Sequence, residues 1–138
     1  MREWGAVIDG RPVSKGNSGR MIRRGGRVFR VSSDAATAHE AHARRFAMIS
    51  LPSGYVPIAG PITLECEFRF AIPKSKAKSV RPGDPHVSKV DRGNLLKLLE
   101  DALKGVIYVD DSQIVGGDVR KCWGERNETW VRVVAIDE

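Results

Sequence analysis

Asp91, Asn94, Lys97 and Asp101 cluster around the start of a short helix, and Asp110 and Asp111 follow it. These residue types at this spacing suit divalent-metal chemistry. Carboxylates gathered in one cleft repel one another and are relieved by a divalent cation, and hard oxygen donors favour Mg²⁺ or Mn²⁺. Such an ion activates water and offsets the charge that builds on a phosphate under attack. A nearby lysine offsets that charge as well. The same residues have a plainer use, with Asp91 as a helix N-cap and Asp110-Asp111 as an exposed turn.

Other side chains carry less chemistry. His39 and His42 stand three apart on a helix with no third ligand nearby, which favours a surface role over chelation. His86, five residues before Asp91, is expected to be a solvated loop residue, with a contact to a bound polyanion or to the site as the alternative. Trp4, Trp123 and Trp130 lie in or beside strands, which favours core or dimer-interface packing over base stacking. Tyr108 reads as packing too. Cys66 and Cys122 lack a CxxC partner, so buried thiols in a reducing compartment are expected rather than a disulfide or zinc knuckle.

The elements that must position these residues follow from the same sequence. A chain of 138 residues, 41% apolar and 29% charged, supports one core and one domain over 1–138. The longest uncharged stretch, Phe46 to Leu64, is broken by Pro52, Pro57 and Pro61, so it cannot cross a membrane. The first residues lack a signal peptide's apolar run, and a cytoplasmic setting is expected. Trp4 to Ile8 reads as a strand ending at Asp9-Gly10. Gly25-Gly26 can turn a small hairpin between Met21-Ile22 and Val28-Phe29. Ser33 or Asp34 caps an alanine-rich helix that Leu51-Pro52-Ser53-Gly54 stops. Ile62 to Phe70 alternates strictly, with Ile62, Leu64, Cys66, Phe68 and Phe70 on one face, which predicts a strand. Asn94 to Lys104 forms a helix closed by Gly105, with Leu95, Leu98, Leu99, Ala102 and Leu103 as its core stripe. Val119 to Trp123 and Thr129 to Ile136 read as a terminal hairpin. The expected fold is a single α+β domain with a small, mostly antiparallel or mixed sheet and two main helices.

The formal charge of +6 is uneven. Residues 1–92 hold 17 Lys and Arg against 8 Asp and Glu, and residues 93–138 hold 6 against 9. Two segments concentrate the positive charge. A basic flap over 11–30 carries Arg11, Lys15, Arg20, Arg23, Arg24 and Arg27, and a basic loop over 73–90, expected to be mobile, carries Lys74, Lys76, Lys78, Arg81 and Lys89. A basic part joined to an acidic part suits a polyanion held against a carboxylate site, and a solvated surface with chance asymmetry is the alternative.

The run over 89–115, Lys-Val-Asp-Arg-Gly-Asn-Leu-Leu-Lys through Val-Asp-Asp-Ser-Gln-Ile-Val, resembles the RusA-type Holliday-junction resolvases. Gly-Arg-Pro-Val-Ser-Lys-Gly near the start resembles that family's opening, and the helix and strand between the two fall in the family's order. The resemblance implies catalytic, metal-binding acids at Asp91 and Asp111 and a catalytic lysine at Lys97, with Asn94, Asp110 and Asp101 in support. It implies Mg²⁺, or Mn²⁺, held by Asp91, Asp111 and Asp110. It also implies a homodimer that nicks four-way junction DNA symmetrically in recombination or repair, in a bacterial or phage setting. Gly93 departs from the pattern, because the family usually has a second aspartate there. Asp101 or Asp110 is one candidate replacement, and a weak or inactive junction-binding protein is the alternative. A basic scaffold whose aspartates are structural is a further one.

Overall fold

The alternation of residues 62–71 produces the strand around which the molecule is built. The computed structural model describes the backbone of residues 2–15, 20–31 and 34–136, and their side chains except at 20–22 and 29–31. In chain order the elements are β1 (Glu3–Asp9), β2 (Arg20–Arg24), β3 (Arg27–Val31), α1 (Asp34–Ile49), β4 (Ile62–Ala71), α2 (Arg92–Leu103), β5 (Ile114–Gly116), β6 (Val119–Gly124) and β7 (Glu128–Ala135). Single turns of 3-10 helix occur at Lys74–Lys76 and Asp111–Gln113. Two helices and a mixed sheet make the expected α+β fold. Ser33, one of the two expected caps of α1, lies outside the described residues.

Along β4, Ile62, Leu64, Cys66, Phe68 and Phe70 are all buried, as the period predicts. They share one core with Ala43 and Ala47 of α1, with Leu95, Leu99, Ala102 and Leu103 of α2, and with Val131 and Val133 of β7. Burying each large apolar side chain is worth roughly 1.5–3 kcal/mol. The opposite sheet face is polar. There Arg132 pairs with Glu3 and Glu65, and Arg69 pairs with Glu67 and lies over the Trp130 ring at 3.8 Å. Trp4 and Trp123 are buried, whereas Trp130 is 43% exposed. No helix among the described residues is long and apolar enough to cross a membrane.

β4 is paired on both edges. On one side β7 runs antiparallel to it, with β1 antiparallel beyond. On the other side β5 and then β6 pair parallel to successive parts of β4, like one strand broken at Gly117-Asp118. The expected terminal hairpin is therefore not formed, because β4 lies between β6 and β7. The connecting turn crosses the end of β4 instead: Asn127 Oδ1 accepts from the Ala71 N–H at 2.8 Å, and Gly124 O from the Ile72 N–H at 3.2 Å.

β2 and β3 form a separate hairpin, as expected. Gly25 and Gly26, at φ +56° and +76°, supply the two left-handed residues that a two-residue turn of this hand needs. The segment 73–90 lies against β6. Gly83 N–H donates to Trp123 O, Trp123 N–H to Asp84 O, and His86 N–H to Lys121 O.

The break between β5 and β6 depends on glycine. Gly117 has φ +128°, and a Cβ there would meet Leu64 O at 1.9 Å. Gly105 has φ +79°, with open space where a Cβ would point. Gly117→Ala should therefore lower unfolding free energy by roughly 2–4 kcal/mol, and Gly105→Ala by about 1–2 kcal/mol, as read by urea denaturation.

Candidate active site

The leucine stripe buries one side of α2 and leaves its ends and polar faces to the candidate residues. Asp91 is the N-cap, with extended backbone, and its Oδ1 accepts from Gly93 N–H at 2.7 Å and Asn94 N–H at 3.3 Å. The capping use read from the sequence is thus present. It engages Oδ1 and, among the described residues, leaves Oδ2 uncommitted.

Asn94, Lys97 and Asp101 follow along α2. The segment after β1 comes in beside them: Lys15 N–H donates to Asn94 O at 3.2 Å, and Lys15 Nζ reaches Asp101 Oδ2 at 2.6 Å and Glu40 Oε1 at 3.0 Å. The bond to Asp101, joined by Glu40, holds the Lys15 ammonium above its ordinary pKa against the opposing effect of burial. Arg44 adds a bond to Asp101 O at 2.8 Å.

Beyond α2, Asp110 caps the 3-10 turn in a reciprocal capping box with Gln113. Asp110 Oδ2 accepts from Ser112 Oγ at 2.6 Å, and Oδ1 pairs with Lys104 Nζ at 3.0 Å. Ser112 first and Lys104 second draw the Asp110 carboxyl down to about 2. Gln113 Nε2 fastens the turn to Ile58 O and Gly60 O. Asp111, partly exposed in that turn, has no ion pair among the described residues.

Glu100 is the residue that sequence reasoning missed. Burial raises its carboxyl pKa, Asp111 and Asp101 raise it further, and Lys97 opposes them. Its spacing of three from Lys97 was the available signal. Tyr108, fully buried as expected for packing, donates to Glu100 O at 2.6 Å. Glu100 thus links Asp111, Asp101 and Lys97 electrostatically in the later turns of α2, while Asp91 stands at its start. Among the described residues, no three His, Cys, Asp or Glu side chains group closely enough to hold a metal by themselves.

Gly93 has nearly enough room for a side chain. A Cβ there would meet only Asp91 Oδ1, at 3.1 Å. Beside it lies a cavity of about 320 Å³ lined by Arg92, Gly93, Leu96, Gly117, Asp118, Val119 and Arg120. The two carboxylates weighed as replacements are held by lysines: Asp101 by Lys15 and Asp110 by Lys104. Asp118 is the acid that shares the cavity with Gly93, and nothing in its local sequence marks it.

Most of the basic residues are exposed, and two of the exposed ones also lie over aromatic rings. Arg23, Arg24 and Arg27 are exposed on the hairpin, as are Lys74, Lys78, Arg81 and Lys89 along 73–90. The Arg20 side chain lies outside the described residues. Arg11 lies over the Phe70 ring at 5.3 Å, and Lys76 over Trp123 at 6.0 Å. His86 is 4% exposed rather than solvated, because the bridge between Pro85 and Cys122 draws it inward. It stacks on Phe70 at 4.2 Å and meets Trp123 at 4.4 Å. Burial, then Lys121, lowers its pKa. Lys121 Nζ donates to Ser88 O and Val90 O, supporting the approach to Asp91. His42 Nε2 bonds Asp9 O at 2.7 Å. Burial pushes the Cys66 thiol up to about 12, consistent with an inert buried residue.

A carboxyl raised in the folded state binds protons more tightly folded than unfolded, so stability declines as pH rises from its unfolded value through the folded one. Glu100→Gln should remove that decline and stabilise the protein at pH 7, with the gain vanishing below the ordinary glutamate range. Urea midpoints across pH will check it. In carboxyl NMR titrations, Asp111→Asn should lower the Glu100 midpoint and Lys97→Met should raise it.

A family model described as Endodeoxyribonuclease RusA matches residues 9–134. The uncharacterized protein YqaN of Bacillus subtilis (strain 168) is 32% identical over 87 residues, covering 56% of this chain and 61% of YqaN. The match therefore spans about three-fifths of that relative's length.

Proposed function

The chain belongs to the RusA endodeoxyribonuclease family, and from that premise we propose that it is a metal-dependent, structure-specific nuclease that resolves Holliday junctions by paired symmetric nicks. The observation that carries this reading is the family match over residues 9–134, which contains the whole acidic run from Asp91 to Asp111. A homodimer suits the substrate, since two-fold symmetry sets equivalent sites on two opposed strands. A cytoplasmic setting in a bacterium or phage belongs to the same proposal.

The donors suit Mg²⁺ or Mn²⁺. Mg²⁺ is ordinarily held by one or two carboxylates, with waters and substrate phosphates completing its shell. Asp91 with its uncommitted Oδ2 and Asp111 would hold it, and when bound the ion supplies an activated water and Lewis-acid stabilisation of the phosphate. Lys97, exposed on α2, sets a cation against the charge developing on the scissile group. Asp110 supports Asp111 by capping the turn that carries it, and Asn94 continues the α2 face toward Lys97. Arg11, Arg23, Arg24 and Arg27 with Lys74, Lys76, Lys78, Arg81 and Lys89 grip phosphates, which gives affinity and register rather than base sequence.

With a synthetic four-way junction and Mg²⁺, the protein should make paired symmetric nicks that EDTA abolishes. Asp111→Asn should remove cleavage, and Lys97→Met should slow it roughly 10²–10³-fold. Absence of nicking in both Mg²⁺ and Mn²⁺ would sink the catalytic reading.

A second reading, favoured by the glycine at 93, is a junction-binding protein with weak or no cleavage. It expects tight junction binding and a gain of cleavage in Gly93→Asp, whose Cβ needs Asp91 Oδ1 to yield only slightly. A cleaving enzyme left unchanged or impaired by Gly93→Asp rules that reading out.

A further inference from the structure

We propose that Lys15 is a positioning residue, whose ammonium, shared between Glu40 of α1 and Asp101 of α2, fastens the basic segment to the face of α2 that carries Lys97. The proposal rests on the endonuclease reading above. It separates Lys15 from the cations around it, which are expected to grip phosphates.

Three contacts of one residue carry the inference. Lys15 Nζ lies 2.6 Å from Asp101 and 3.0 Å from Glu40, and its main-chain N–H donates to Asn94 O at 3.2 Å. The two carboxylates belong to different helices, so the lysine joins α1 and α2 through the segment leading to the hairpin. Two carboxylates already take up the Lys15 ammonium, with Arg44 bonded to Asp101 O beside them. A phosphate arriving there must compete with both, whereas at exposed Arg23, Arg24 or Arg27 it meets a cation open to solvent.

The other end of the segment is fixed independently. Arg11 lies over the Phe70 ring at 5.3 Å, and Pro12 is buried. Residues 11–15 are thus held at one end on β4 and at the other beside Asn94, one helical turn from Lys97. Residues 11–15, rooted in this way, hold the start of the basic segment in fixed register with Lys97 and the acids of α2. The clamp acts on the geometry of bound DNA, so its loss should fall on turnover more than on affinity.

The test compares Lys15→Met, Lys15→Arg and the Glu40→Gln/Asp101→Asn pair by junction binding across salt and by cleavage at saturating junction. For Lys15→Met, the slope of log affinity against log salt should match that of the unmodified protein, while cleavage falls about tenfold as expected for a lost orienting contact. Lys15→Arg should restore most of the rate. The carboxylate pair should reproduce the loss, and adding Lys15→Met to it should cost no more, which also covers the case of a poorly folding single variant. A slope shallower by about 0.9 with cleavage at saturation unchanged makes Lys15 a phosphate contact and overturns the proposal. Losses that add would overturn it equally. If the unmodified protein binds junctions without cutting them, the catalytic reading fails and amide exchange over residues 13–15 decides the clamp. Faster exchange in Lys15→Met then upholds it, and unchanged exchange overturns it.

Discussion

β4 is flanked on both edges and buried on one face, and the other elements take their places from it. Ile62, Leu64, Cys66, Phe68 and Phe70 cannot be exposed without giving up much of the core, so the two helices must lie on their side of the sheet. With β7 filling one edge, β5 and β6 take the other, and the break between them falls at Gly117-Asp118 opposite Leu64 and Cys66. That break brings Asp118 to the cavity beside Gly93. A strand pattern of period two therefore determines where the acidic segment runs relative to α2.

The helix α2 separates two kinds of charge management. On one side Asp101 is neutralised by a lysine from the segment after β1, and at the far end Asp110 is held ionised by Ser112 and Lys104. Between them Glu100 lies half-buried within reach of Asp111, Asp101 and Lys97, with a raised pKa. Among the described residues, Asp91 and Asp111 are left without ion pairs. Dedicated lysines thus compensate two of these acids, and the pair proposed to hold a metal has none.

Local signals in the sequence carry over to the structure. The alternation of 62–70, the leucine spacing of 95–103 and the Gly25-Gly26 pair each match it within a residue or two. The acidic run is visible because its spacing is itself local. What escapes depends on distant partners. Residues 119–136 carry two strands and a polar turn, the signature of a hairpin, yet their pairing is decided by β4, far earlier in the chain. His86 looks solvated because its neighbours are polar, and only the bridge from Pro85 to Cys122 buries it. Lys15 reads as one more cation of a basic flap, since its partners stand 25 and 86 residues away. Glu100 owes its shift to burial, to Asp111, which the turn after α2 brings back, and to its neighbour Asp101.

β1 and β4 do not touch as neighbours, because β7 lies between them, pairing Glu3 with Val134 and Ile62 with Ala135. The last strand of this sequence is therefore an inner strand of the sheet. Its contacts span nearly the whole sequence, and closing so long a loop before any reward slows folding relative to domains built on local contacts. On a ribosome, both helices and the basic hairpin emerge before the sheet has its inner strand, and their apolar faces wait for it. Assembly of the core is thus timed by synthesis of β7, long after the basic hairpin has been made.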